Sequence, residues 1–239
     1  MSQQSPKPVP KFLHTDHPHT LSAIDTAMHA TYRALLTMGE DVWDMIVRVE
    51  RALIDGEIDA ARQVIADDKR IDAKLAEIKS RTFDILARYQ PVAQDLRQIL
   101  AVELVAKDVE RIGDHAKNIA KGLVAAAPTP IPEDVKPMFA KIGRATLGAV
   151  EDALDAFART DKELAGRILA SDENVDTLYN DLFRALVDHI DAEQETKLAL
   201  VHFLFMAKSF ERIGDHATNV AEMVIFITSG HAPLSRQPA

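Results

Sequence analysis

The chain states one phrase twice. Residues 109–121 read VERIGDHAKNIAK and residues 210–222 read FERIGDHATNVAE; the seven residues ERIGDHA, Glu110 to Ala116 and Glu211 to Ala217, are identical. A phrase repeated about a hundred residues apart requires a chain built from two similar halves. What is repeated is acidic. Glu110 and Asp114, like Glu211 and Asp215, are spaced i, i+4, which on a helix sets both carboxylates on one face, a turn apart.

The surroundings of the phrase are helical in period. Leu35, Met38, Val42, Met45, Ile46, Val49 and Leu53 recur at steps of three and four, one face of an amphipathic helix. Gly56 is a natural stop. A second helix is expected over Glu57–Tyr89, with Val64, Ile71, Leu75, Ile78 and Ile85 inward. A third opens near Pro91, carries Leu96, Ile99, Leu100, Leu104, Ile112 and Ile119, and ends near Val124. The second half repeats the plan over about 134–159, 161–190 and 194–229. Leu35 aligns with Phe139, Val64 with Ile168, Asp68 with Asp172 and Asp72 with Asp176, an offset of 104; the third helices align at 101. Helices of about 30 residues joined by short loops pack as antiparallel bundles. The expected fold is all-α, two tandem three-helix antiparallel bundles. The expected organisation is a tail (1–19), a first repeat (20–125), a Pro-rich linker (126–133), a second repeat (134–229) and a short tail (230–239). The first tail carries His14, His17 and His19, which nothing preorganises as ligands.

Composition narrows the chemistry. Gly numbers 9 in 239 residues, net charge is −9, and cysteine is absent. Few glycines and abundant Ala, Leu, Glu, Lys and Arg suit helices. An acidic surface repels phosphodiesters, so nucleic acid is a poor partner, and cations or basic protein surfaces are better ones. Without cysteine there are no disulfides, thiolate metal sites or thiol nucleophiles, and a reducing cytoplasm fits. The N-terminus lacks an apolar h-region and reads as no secretory signal. The richest apolar run, LALVHFLFMA at 198–207, is too short to span a bilayer, so membrane contact is expected only indirectly, through a partner.

The acidic pattern is wider than the phrase. The second helices add Asp68 with Asp72 (DKRID) and Asp172 with Asp176 (DENVD), so each half holds two acidic i, i+4 pairs on neighbouring helices. Like charges at this spacing cost roughly 0.2–0.5 kcal/mol per pair. Two readings stay open. A hard cation compensates them, oxygen-only donors suiting Mg, Ca, Mn or Fe; or they are solvated faces paired to Lys107 and Lys208. Gly113 and Gly214 mark close approach, of a ligand or of a neighbouring helix. His115 and His216 point about 100° from the acidic stripe and suit packing or hydrogen bonding. Arg111 and Arg212 suit salt bridges. No Glu-x-x-His pair, P-loop or nucleophile elbow occurs.

At these residues the chain resembles the PhoU family, the accessory regulators of phosphate-specific transport. The resemblance rests on the duplicated ERIGDHA-x-N-[IV]-A phrase, the paired Asp/Glu-x-x-x-Asp motifs and the two three-helix repeats, and covers nearly all of 21–229. It implies two bundles related by a pseudo-twofold and a cytoplasmic, non-enzymatic negative regulator. It implies metal ions, Fe, Mn, Mg or Zn, on Asp68, Asp72, Glu110 and Asp114 in one half and Asp172, Asp176, Glu211 and Asp215 in the other, with Asn118 and Asn219 as weaker candidates. The implied partners are the ATPase subunit of the phosphate ABC importer and a phosphate-sensing histidine kinase. Exposed aliphatic stripes also permit a homodimer. The competing functions are a metal-dependent phosphoester hydrolase using the same carboxylates, and a plain helical scaffold.

Overall fold

The computed structural model describes residues 22–171, 173–190 and 194–230. The expected tail with its three histidines, the residues after 230 and Asp172 lie outside the described residues.

Seven helices follow in order: α1 (Ser22–Asp55), α2 (Ile58–Tyr89), α3 (Ala93–Ala126), α4 (Lys136–Arg159), α5 (Lys162–Ala170), α6 (Glu173–Asp188) and α7 (Gln194–Ser229). Their ends follow local rules. Gly56 closes α1 at φ 74°, and Gln90 closes α2 at φ 46° just ahead of Pro91, which cannot continue a helix. Asp161 caps α5, its carboxylate accepting from the backbone N–H groups of Glu163 and Leu164 at 3.0 and 2.9 Å.

The second repeat departs from expectation in one place. The continuous helix expected over 161–190 is two helices, α5 ending at Ala170 and α6 beginning at Glu173. Ser171 ends α5: its N–H reaches the carbonyls of Arg167 and Ile168, and its hydroxyl donates to Ile168 O at 3.1 Å. Serine, Asp and Asn compete with the helix for their own backbone, and the sequence here is SDEN. Together α5 and α6 stand where α2 stands in the first repeat.

One continuous core runs through both halves, from Leu35, Met38 and Met45 in α1 to Phe139 and Phe157 in α4 and Phe203 and Phe210 in α7. Each such side chain removed from water contributes about 1.5–3 kcal/mol. The two repeats meet along α1–α4 and most extensively along α3–α7. The contacts are reciprocal. A Cβ on Gly39 would sit 2.9 Å from Leu154, and one on Gly143 would sit 2.6 Å from Glu50; Gly143 and Leu154 are the counterparts of Gly39 and Glu50 at the offset of 104. Contact i–j mirrored by j–i is the mark of a twofold relation, here between halves of one chain. Tyr32 crosses the same seam, stacking on Phe157 at 5.4 Å and donating to its carbonyl at 3.0 Å. Burial pushes its phenol far up.

Candidate functional site

In the first repeat, α2 and α3 bring the four acidic candidates onto one face. Burial holds the Glu110 carboxyl above the usual range; Asp114, Asp72 and Asp68 push it further, and Arg111 opposes them. Asp68 is itself buried. The repulsion is relieved from within. Lys117 places its ammonium 2.7 Å from Asp68 Oδ2 and 2.6 Å from Asp114 Oδ1. Arg111 adds a bond to Asp114 at 3.0 Å and lies 3.5 Å from Glu110. Burial works to raise the Asp114 carboxyl, but Lys117 and Arg111 outweigh it and hold it below the usual range. Asp72 is exposed on the next turn of α2.

The second repeat solves the same problem differently. Asp176 from α6 and Glu211 and Asp215 from α7 each present an oxygen, and the three oxygens lie within 4.8 Å of one another. Among the described residues no other such group forms. Lys208 binds Glu211 Oε1 at 2.5 Å, and Arg212 binds Asp215 at 3.2 Å. Position 218, the counterpart of Lys117 (117 + 101), is Thr218, whose hydroxyl donates to Gly214 O at 3.2 Å and brings no charge. Glu211 Oε2 is buried without a hydrogen-bond partner.

Oxygens up to 4.8 Å apart suit a hard cation, which takes carboxylate oxygens at about 2.0–2.6 Å on either side of itself. Glu211 Oε2, buried without a hydrogen bond and with only Arg212 Nε at 3.6 Å for a counter-charge, is an acceptor such an ion satisfies. The second face therefore fits a metal better than the first, where an ammonium already bridges Asp68 and Asp114.

The remaining residues of the phrase serve packing. A Cβ on Gly113 would meet Val42 at 3.3 Å and Ile71 at 3.5 Å; one on Gly214 would meet Val175 at 3.2 Å. These glycines admit neighbouring helices, and the ligand alternative falls away. His115 and His216 turn from the acidic faces and stack on each other at 5.7 Å. At the offset of 101 each meets its own counterpart, and the pseudo-twofold passes between them. Asp108 accepts from His216 Nδ1 at 2.8 Å and from Asn219 at 3.1 Å. His115 has no such acceptor: Ser209 stands at the place of Asp108, and His115 Nδ1 is buried unpaired. Burial, then the charge of His216, lowers His115 to about 4. Asn118 is exposed on α3. The functional residue that sequence reasoning missed is Lys117; its signal was the Lys-to-Thr difference inside two otherwise similar phrases.

Comparison with known proteins matches the PhoU domain model twice, at residues 35–123 and 139–224. A protein of Rhizobium meliloti, a phosphate-specific transport system accessory protein PhoU homolog, is 34% identical over 222 residues, 93% of this chain and 94% of that one. A Caulobacter vibrioides protein of the same description is 36% identical over 197 residues, 82% of this chain and 84% of that one. The crystal structure of PhoU from Pseudomonas aeruginosa superposes with TM-score 0.83 at 33% identity, covering 87% of this chain and all (100%) of the other. That of the phosphate transport system regulatory protein PhoU from Streptococcus pneumoniae gives 0.79 at 24% identity over 87% of this chain and 98% of its own, a likeness of fold.

Proposed function

Because this chain belongs to the PhoU family, we propose that it is a negative regulator of phosphate uptake and of phosphate-starvation signalling. It works as a cytoplasmic adaptor between the ATPase subunit of a phosphate ABC importer and a sensor histidine kinase. The observation that carries this reading is the family match in both repeats, with relatives described as accessory proteins of phosphate-specific transport. Among the described residues no helix is long and apolar enough to cross a membrane, which suits contact with the importer through its peripheral subunit. The exposed pairs Leu100 with Val201 and Leu104 with Phe205 repeat at an offset of 101 on α3 and α7, a symmetric apolar surface that supports a homodimer.

A metal ion is part of the same reading. Asp176, Glu211 and Asp215 hold it, Asp172 is a further candidate by its i, i+4 spacing in the sequence, and Asp68, Asp72, Glu110 and Asp114 form the weaker second site. Magnesium, manganese, iron or zinc is accommodated by such donors. The ion supplies charge that fastens α6 to α7, so metal loading governs the face offered to partners.

The test is complementation. In a host lacking its own copy, the wild-type chain restores repression of a phosphate-starvation reporter in high phosphate and co-purifies with the importer ATPase. The triple variant Asp176→Ala/Glu211→Ala/Asp215→Ala loses metal and both behaviours. Failure of the wild type to repress would sink the regulator reading; a repressing, metal-free triple variant would remove metal from it. Turnover of phosphate esters by the metal-loaded protein would move the assignment to a hydrolase built on the same carboxylates.

A further inference from the structure

Between α3 and α7, on the side of the seam away from the His216–Asp108 pair, lies a cavity of about 390 Å³. Its walls carry His115, Asn118, Lys121, His202, Lys208 and Arg212. No carboxylate lines it, in a chain with 37 acidic and 28 basic residues. Lys121 reaches no carboxylate among the described residues, and His115 Nδ1 is the buried, unpaired atom noted above. Lys208 and Arg212 bond Glu211 and Asp215.

The pseudo-twofold supplies an internal control. Moving by 101 residues, the groove on the other side of the axis has Glu222 for Lys121, Asp108 for Ser209 and Ala101 for His202. It also has Phe226 where the exposed Ala125 leaves this groove open. Every one of these differences acts in one direction. One copy of the groove is occupied by bulk and supplied with acceptors; the other is open and lined with donors. A shared scaffold does not require this, since the helices packing there are the same.

We propose that this groove is a binding site for a phosphate group, free or carried by a small organic molecule. Lys121, Lys208 and Arg212 line the cavity, Lys208 and Arg212 with part of their donor set on Glu211 and Asp215 and Lys121 with all of its own free of carboxylates among the described residues; guanidinium and ammonium donors match phosphate oxygens. The volume lies within the range of small-molecule sites and leaves room beyond the phosphate, where the exposed ring of Phe205 forms an apolar wall. Lys208 and Arg212 also hold Glu211 and Asp215, two of the carboxylates proposed for metal, so the groove is tested without metal.

Titration calorimetry on the full chain, in EDTA at low ionic strength, tests it with inorganic phosphate, AMP and adenosine. EDTA keeps the outcome independent of metal loading. Saturable binding of phosphate or AMP without binding of adenosine is expected. Lys121→Glu and Ser209→Asp each import the acid of the opposite groove, and each weakens binding at least tenfold. Lys141→Glu, an exposed charge change on α4, leaves it within twofold. AMP binding tenfold tighter than phosphate assigns a phosphate monoester as occupant; equal affinities assign orthophosphate. The proposal is overturned if neither anion binds, if adenosine binds as well as AMP, or if Lys121→Glu, folded by circular dichroism, binds like wild type.

Discussion

Lys117 and Thr218 occupy equivalent places in the repeated phrase, and that difference leaves the second face without the ammonium that bridges two helices in the first, Lys208 binding Glu211 of its own helix there instead. An opposite charge within about 4–6 Å shifts ionisation by roughly 1–3 pKa units, enough to decide whether a cation competes. Thr218→Lys is expected to weaken metal binding by the second face about tenfold or more in a calorimetric titration. Lys117→Thr strands the buried Asp68: its melting temperature falls without metal and recovers when metal is added. At the seam, His115 titrates well below its usual value of about 6.5. The folded state therefore binds fewer protons than the unfolded one, and stability falls as pH drops from about 6.5 towards 4. His115→Gln should flatten that part of a denaturation-midpoint profile taken between pH 7 and 4; an unchanged slope would remove His115 as its source. The acidic candidates and the salt-bridging arginines were legible from spacing alone. Lys117 was not, because its role depends on the distance from α3 to Asp68 on α2, a tertiary quantity that one letter does not carry.

At the scale of the element, the glycines separate by what surrounds them. Gly148 in α4 and Gly166 in α5 have nothing within 4 Å of an added Cβ. Alanine at either position should stabilise by about 0.5–1 kcal/mol through helix propensity, read as a raised melting temperature. Gly122 in α3 is the opposite case: a Cβ there would lie 2.5 Å from Met206 Cγ, in a side chain that is fully buried. Gly122→Ala should cost about 1–3 kcal/mol as overpacking. Helix lengths and most ends followed from period, Gly56, Pro91 and the proline-rich linker. The interruption between α5 and α6 did not. Ile168, Val175, Leu182 and Leu186 are all buried, and their steps of seven, seven and four stay in phase across the break, so the apolar pattern passes over it unmarked.

For the whole molecule, duplication was plain in the sequence but the surface joining the copies was not. On α3, residues such as Ile99, Ala101, Val105, Ala106, Ile112, Ala116 and Ala120 belong to a buried face that covers more than half of the helix, and an apolar face that wide does not indicate which part of it meets which partner. That surface makes the halves interdependent. Residues 22–126 expressed alone would expose the seam of α3, and they are expected to form a dimer that rebuilds it, or to aggregate. Light scattering decides this, and a stable monomer would show that the repeats are independent. The on-axis histidine stack carries a consequence for how the two halves can diverge. Residues 115 and 216 are each other's surroundings, so a substitution at one alters the selective value of every substitution at the other. Residues 117 and 218 answer to separate neighbours and drift separately. A library varying the first pair explores one epistatic site, whereas a library varying the second explores two, and a lineage can specialise its acidic faces one at a time while its axis changes only in step.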